Sequence, residues 1–328
     1  QKGLRRMGLV IGMDEAGYGP NLGPLVISVT AWEIPGDPQQ FDFWSRLENC
    51  VSREAASPSS NREPARLHFA DSKQVYSPSR GLASLETSVL ALLSLTNPAS
   101  DSLHSVWKHL AGGVPAGPHV EPWFDRAALD LPLPLSASSE RVSAAAEGLR
   151  GALNACGVRL RTARSDIMLT DRFNRESKAA GSKGAVLSRA SLELLRTVWN
   201  PDTDGPALIL ADKHGGRNRY RALLANVLAG RLPLCLGEQR AQSRYRICEA
   251  EIRFETGAER HFPVAAASMV SKYVREVAME VFNRFWARRI PALKPTKGYP
   301  TDARRFRSDI ATVQQQLGIP DQLLWRER

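Results

Sequence analysis

The chain has 328 residues, a net charge of +10 from 44 Lys and Arg against 34 Asp and Glu, and 43% hydrophobic residues. That length buries one large core, or a core with an insertion, and the sequence has no apolar run long enough to be read as a transmembrane helix. Cys50, Cys156, Cys235 and Cys248 show no Cys-x-x-Cys spacing, so they read as reduced thiols without a zinc site. The opening QKGLRRMG lacks the apolar region of a secretory leader, and a cytoplasmic protein is expected. A basic surplus favours polyanionic partners, because phosphate contacts release counterions. A generally Arg-rich composition is the alternative account of that surplus.

Leu9, Val10, Ile11 and Met13 read as a short buried strand ending in Asp14 and Glu15. Gly17, Gly19, Pro20, Gly23 and Pro24 then stop any regular element. Two carboxylates at a strand tip repel each other, and a divalent cation is the usual relief; a solvated turn is the other reading. The Gly-x-Gly leaves backbone N–H groups open to a phosphate or sugar. LVISVTAWEI suits a second, paired strand, and the polar stretch 53–66 reads as a loop. Asp71, Ser72 and Lys73 follow, where such a triplet also serves as a helix cap, and residues 82–95 form an apolar helix.

The segment about 97–157 is expected to be an insertion or small subdomain. Its 97–137 stretch is rich in Pro, Gly and Ser and promises little regular structure. Val186, Ala190, Leu194 and Val198 mark a helix over 184–199, and GPALILAD is a strand ending in Asp212 as the first ends in Asp14. Gly215 and Gly216 let the backbone approach a phosphate, with Arg217 and Arg219 placed to pair with it; an exposed glycine turn is the equal alternative. His214 is a weaker candidate for moving protons. RYRALLANVLAG reads as a helix and YRICEAEIRF as a strand. Residues 264–288 form a long amphipathic helix with Val270, Val274, Val277, Val281 and Phe285 as its core stripe. That helix carries Lys272 and Glu276 at i, i+4, where a plain surface ion pair is the modest reading. The tryptophans at 107, 123, 199 and 286 are expected to pack. Short strands alternating with helices indicate a mixed α/β layer.

Neighbouring strand ends and a packed helix are able to gather Asp14, Glu15, Asp212 and Glu276 in one cleft, which suits about two divalent ions and phosphodiester hydrolysis. IGMDEAGYGPNLGPLVISV resembles the opening block of the type 2 ribonuclease H (ribonuclease HII) family. ADSKQVYSPSR resembles its DSK segment, FPVAAASMVSKYVRE its PVVSAASIxAKVxRD helix, and KGYPTD its Gly-Tyr-Pro turn, all in the family's order. The resemblance implies a ribonuclease H-like fold over 1–290, a mixed central sheet flanked by helices, with 291–328 completing the substrate cleft. It implies Mg²⁺ or Mn²⁺ held by Asp14, Glu15 and Asp212, with Glu276 standing where the family has Asp.

Gly17, Tyr18 and Gly19 stand for the family's Gly-Arg-Gly at the ribose 2′-hydroxyl, and Tyr299 for the tyrosine that stacks on the sugar at an RNA–DNA junction. Asp71, Ser72, Lys73, Arg217 and Lys272 complete the expected substrate contacts. The implied activity is cleavage of RNA in RNA–DNA hybrids, or of ribonucleotides embedded in duplex DNA, by a monomer with no membrane association. An inactive nucleic-acid-binding homologue, or a nuclease of the same fold acting on DNA, are the alternatives.

Overall fold

The computed structural model describes residues 7–55, 66–97, 99–117, 119–228 and 230–327. Most of the polar stretch expected as a loop, 56–65, lies outside them. The first strand is β1 (Met7–Ala16), and the Gly/Pro turn returns the chain as its antiparallel partner β2 (Leu25–Pro35). Two short strands, β3 (Val51–Ser52) and β4 (Leu67–His68), pair with each other alone. The main sheet is completed by β5 (Arg159–Met168), β6 (Ala207–Asp212), β7 (Leu234–Glu238), β8 (Gln242–Ile247) and β9 (Ala250–Glu255). Its order is β5-β2-β1-β6-β9-β8-β7, with β1, β6 and β9 mutually parallel and the outer strands antiparallel to their neighbours. This is the mixed sheet flanked by helices that the sequence suggested.

Burial on both faces explains why β1 carries no polar side chain from Met7 to Met13. Val10 points into one core, while Leu9, Ile11 and Met13 point into another on the opposite face. The helix Phe262–Ala287 covers the first face, and the helix Lys183–Arg196 covers the second. Gly12 is where the long helix meets the sheet: a Cβ there would come within 2.1 Å of the Pro263 carbonyl carbon. Only a bare α-carbon permits that approach. Gly12→Ala is therefore expected to cost about 3 kcal/mol, from overpacking against backbone. Calorimetry reads this as a lowered Tm, and an unchanged Tm would mean that the helix start is free to withdraw.

The 97–137 stretch is more regular than its composition suggested, and a long helix follows it. The helix Leu103–Ala111 runs from a Ser102 cap to a left-handed Gly112, and Ser139–Cys156 runs from a Ser138 cap to a left-handed Gly157. Its apolar residues reach the main core, with the Trp123 ring 4.9 Å from Phe282 and 6.3 Å from Trp286. Trp107 and Trp199 are buried as well, so the packing role expected for all four tryptophans is what they have.

Glu86, fully buried on the helix Ala83–Leu93, fastens this segment to the rest. It accepts the N–H groups of Leu135, Ser136 and Ala137 at 2.6–2.8 Å and the Tyr273 hydroxyl at 2.8 Å. YRICEAEIRF is two strands rather than one, β8 and β9, because Cys248 adopts a left-handed conformation (φ 51°) and turns the chain back. Residues 291–327 join the first core through Ala303, Phe306, Ile310 and Leu324. Among the described residues no helix is long and apolar enough to cross a membrane.

Candidate active site

β1 and β6 are parallel neighbours with Met13 opposite Ala211, so Asp14 and Asp212 leave the same edge of the sheet. β9, parallel to β6 on its other side, ends at Glu255, and one 3-10 turn (Ala258–Arg260) separates it from the long helix. That turn delivers Glu259. Asp14, Asp212 and Glu259 each bring a carboxylate oxygen within 4.8 Å of the others.

Electrostatics record the crowding. Asp14 is held well above the usual carboxylate range by burial, then by the charges of Glu15 and Glu259. Glu15 is raised to about 7 by burial, then by Asp212 and Glu259. Burial also raises Asp212 and Glu259, which repels Asp212 in turn. The Ala258 N–H, 3.2 Å from Asp212 Oδ1, partly offsets the effect on Asp212. The Lys73 ammonium lowers Glu15, Asp212 and Glu259 and is itself raised, first by Asp71 and then by Glu259, Asp14 and Asp212.

The structure does not bring Glu276 to this group. Its two oxygens are each taken by an ammonium at 2.7 Å, one from Lys272 and one from Lys297. Burial raises its pKa, but the two lysines overcome that and lower it to about 2. Helix geometry supplies the reason. Ser271 donates to the Asp14 carbonyl at 3.1 Å, and Glu276 lies five residues on, about 7 Å further along the axis. Glu259, ahead of the helix, is the acid that the sequence reading overlooked. Its signal was a carboxylate four residues beyond a third strand end.

The remaining candidates fall into three places. Asp71 caps the turn Ser72–Val75 by accepting the Lys73 N–H at 3.0 Å, and Ser72 accepts from Ser268 on the long helix at 3.2 Å. The cap is thus also what sets Lys73 among the acids. Lys272 and Lys297 gather with the unanticipated Tyr76 around Glu276, where Lys297 Nζ donates to the Tyr76 hydroxyl at 2.7 Å, whereas the half-exposed Tyr299 acts on the buried Arg275.

Gly17, Tyr18 and Gly19 form the turn after β1. Gly17 is left-handed (φ 93°), with Arg275 Nε 2.6 Å from where a Cβ would stand, and the buried Arg326 donates to the carbonyls of Gly17 and Pro20. Arg217 lies near Tyr18, whose pKa it lowers against burial and Glu15. His214 does not face the acids as a proton carrier: burial pushes it down to about 3, and its Nδ1 lies 3.1 Å from Ser188 Oγ.

Acids raised above their unfolded values bind more protons in the folded chain, so stability falls as pH rises through the window they span, from about pH 4.5 to about 7 for Glu15. The metal-free protein is expected to melt lower at pH 8 than at pH 5, and Mn²⁺ is expected to raise Tm at pH 8 far more than at pH 5. An Mn²⁺ effect of equal size at both values would detach the acids from cation binding.

No family model matches the sequence, and no curated protein matches it. Among solved structures, the chain is similar to ribonuclease H2 from Pyrococcus horikoshii OT3, with 16% identity and a TM-score of 0.45 over 96% of this chain and 92% of that one. It is also similar to a chain of the PCNA:RNase HII complex from Archaeoglobus fulgidus, at 15% identity, TM-score 0.41, and coverage of 98% and 94%. A third is Bst-RNase HIII in complex with Mn²⁺, at 14% identity, TM-score 0.39, and coverage of 97% and 65%.

Proposed function

We propose that the protein is a divalent-metal-dependent endonuclease of the type 2 ribonuclease H kind, cutting RNA in RNA–DNA hybrids or ribonucleotides embedded in duplex DNA. The observation that carries the reading is the meeting of Asp14, Asp212 and Glu259 at one sheet edge, from the ends of two parallel strands and the turn that follows a third. The donor set fits Mg²⁺ or Mn²⁺: all-oxygen ligands with raised pKa values, and Lys73 as the cation they share. Asp14, Asp212 and Glu259 would hold the ions, with Glu15 beside them. A bound divalent ion supplies a more acidic water and neutralises charge on the phosphate.

The chain's own residues do the rest. Lys73 brings positive charge to the cleft beside the acids, where a phosphate would otherwise meet only carboxylates. The Gly17–Gly19 turn, fixed from beneath by Arg275 and Arg326, presents backbone to a sugar. Lys272 and Lys297 hold positive charge around Glu276 and Tyr76, and Tyr299, next to Arg275, offers an exposed ring that suits stacking on a sugar. Incubation with Mg²⁺ or Mn²⁺ and a duplex carrying one ribonucleotide, a full hybrid or DNA alone tests the proposal. Cleavage of the first two, leaving 3′-hydroxyl and 5′-phosphate ends, is expected. Failure to cut either overturns the proposal, and equal cutting of all-DNA duplex replaces it with a DNA nuclease of the same fold.

A further inference from the structure

Beside the acid cluster, and separated from it by Tyr18, lies a pocket of about 620 Å³. Its walls include Tyr18, Lys183, Gly215, Gly216, Arg217 and Arg219. We infer that this pocket binds a backbone phosphate of the nucleic acid, one next to the phosphate held over the acids; the inference rests on the proposed function and adds a second point of grip.

Charge comes first. Arg219 has Glu238 at 4.0 Å, but among the described residues neither Lys183 nor Arg217 has a carboxylate within ion-pairing distance, and Arg217 Nε is buried with no partner. Other arginines are matched: Arg172 and Arg189 both hold Glu176, and Arg260 holds Glu255. Two unmatched cations facing one pocket are poised for an anion from outside.

Shape and chemistry select a phosphate over a base. A nucleobase needs an open aromatic face, and Lys183 Nζ sits 4.6 Å over the Tyr18 ring. Gly215 is left-handed (φ 61°), and neither it nor Gly216 has an atom within 4 Å of where a Cβ would stand, so their backbone is open to close approach by phosphate oxygens. The position ties the pocket to the substrate strand. Tyr18 stands two residues beyond the end of β1, which carries Asp14 and Glu15, and Gly215 and Gly216 follow Asp212 at the end of β6, so the pocket adjoins the acids.

The test measures binding of metal-free protein to an RNA–DNA hybrid by fluorescence anisotropy across a salt series, with hybrids carrying a single neutral methylphosphonate at successive positions. One position beside the cleavage site is expected to weaken wild-type binding about tenfold. The Lys183→Ala/Arg217→Ala double variant is expected to bind the unmodified hybrid about tenfold more weakly, with a salt slope shallower by about 1, and to be indifferent to that methylphosphonate. Lys183→Arg should keep the wild-type pattern, separating charge from folding. If the double variant keeps wild-type affinity and slope, or every methylphosphonate weakens wild type and variant alike, the pocket is not a phosphate site. Wild-type cleavage of the hybrid alongside that result would leave the proposed function standing. If wild type neither binds nor cuts the hybrid, both inferences fall.

Discussion

Asp212→Asn is expected to reduce cleavage by on the order of 10³-fold, because a metal-stabilised transition state loses several kcal/mol when a charged ligand becomes neutral. The substitution is nearly isosteric, and the asparagine carbonyl can still accept the Ala258 N–H now 3.2 Å from Oδ1. The fold should therefore survive. Without metal, Tm should even rise at neutral pH, since Asp212 is the strongest charge raising Glu15. Hybrid binding should persist or tighten, because one repulsive charge leaves the cleft. Single-turnover cleavage in Mg²⁺, with a thermal melt of the same preparation, separates these effects. Near wild-type turnover would remove Asp212 from the reacting centre.

Asp14 and Asp212 were legible because a strand end is a local event: an apolar run stops, an acid follows, and parallel pairing puts two such ends on one edge. Glu259 obeys the same logic through β9, but the strand reading ran β8 and β9 together. The Cys248 turn, which makes β9 a parallel neighbour of β6, carries no glycine or proline to announce it. Glu276 shows the converse. Helical periodicity gives the face of a residue but not which neighbour it meets along the axis, and Lys297 arrives from 21 residues away. β5 went unseen because its inward positions are filled partly by small or polar residues. Ala163 and Ser165 are buried, Ser165 lying 2.7 Å from Ser28. In the 97–137 stretch the Pro and Gly signals read as loop, although Gly112 is a helix stop.

Glu259→Ala and Glu276→Ala are expected to fail in different ways, and the pair decides which acid belongs to the metal centre. Removing Glu259 takes one of three converging carboxylates, so Mn²⁺ affinity measured by calorimetric titration should fall at least tenfold and cleavage by on the order of 10²–10³-fold. Glu259→Asp, a shorter carboxylate on the same turn, should recover part of the loss at high Mn²⁺, since an oxygen-rich shell tolerates some displacement.

Removing Glu276 instead leaves Lys272 and Lys297 without their shared acceptor. Breaking a well-buried pair costs about 3–5 kcal/mol; the half-exposed Lys297 is free to turn to solvent, so about 1–2 kcal/mol is expected here, seen as a lower Tm. Mn²⁺ affinity should stay at the wild-type value. Hybrid binding should become more salt-dependent, because two released ammonium groups become available to phosphates. If Glu276→Ala weakens Mn²⁺ binding while Glu259→Ala leaves it intact, the roles are reversed. The long helix would then have to slide toward the sheet edge when metal binds, against the Gly12–Pro263 contact that fixes its start.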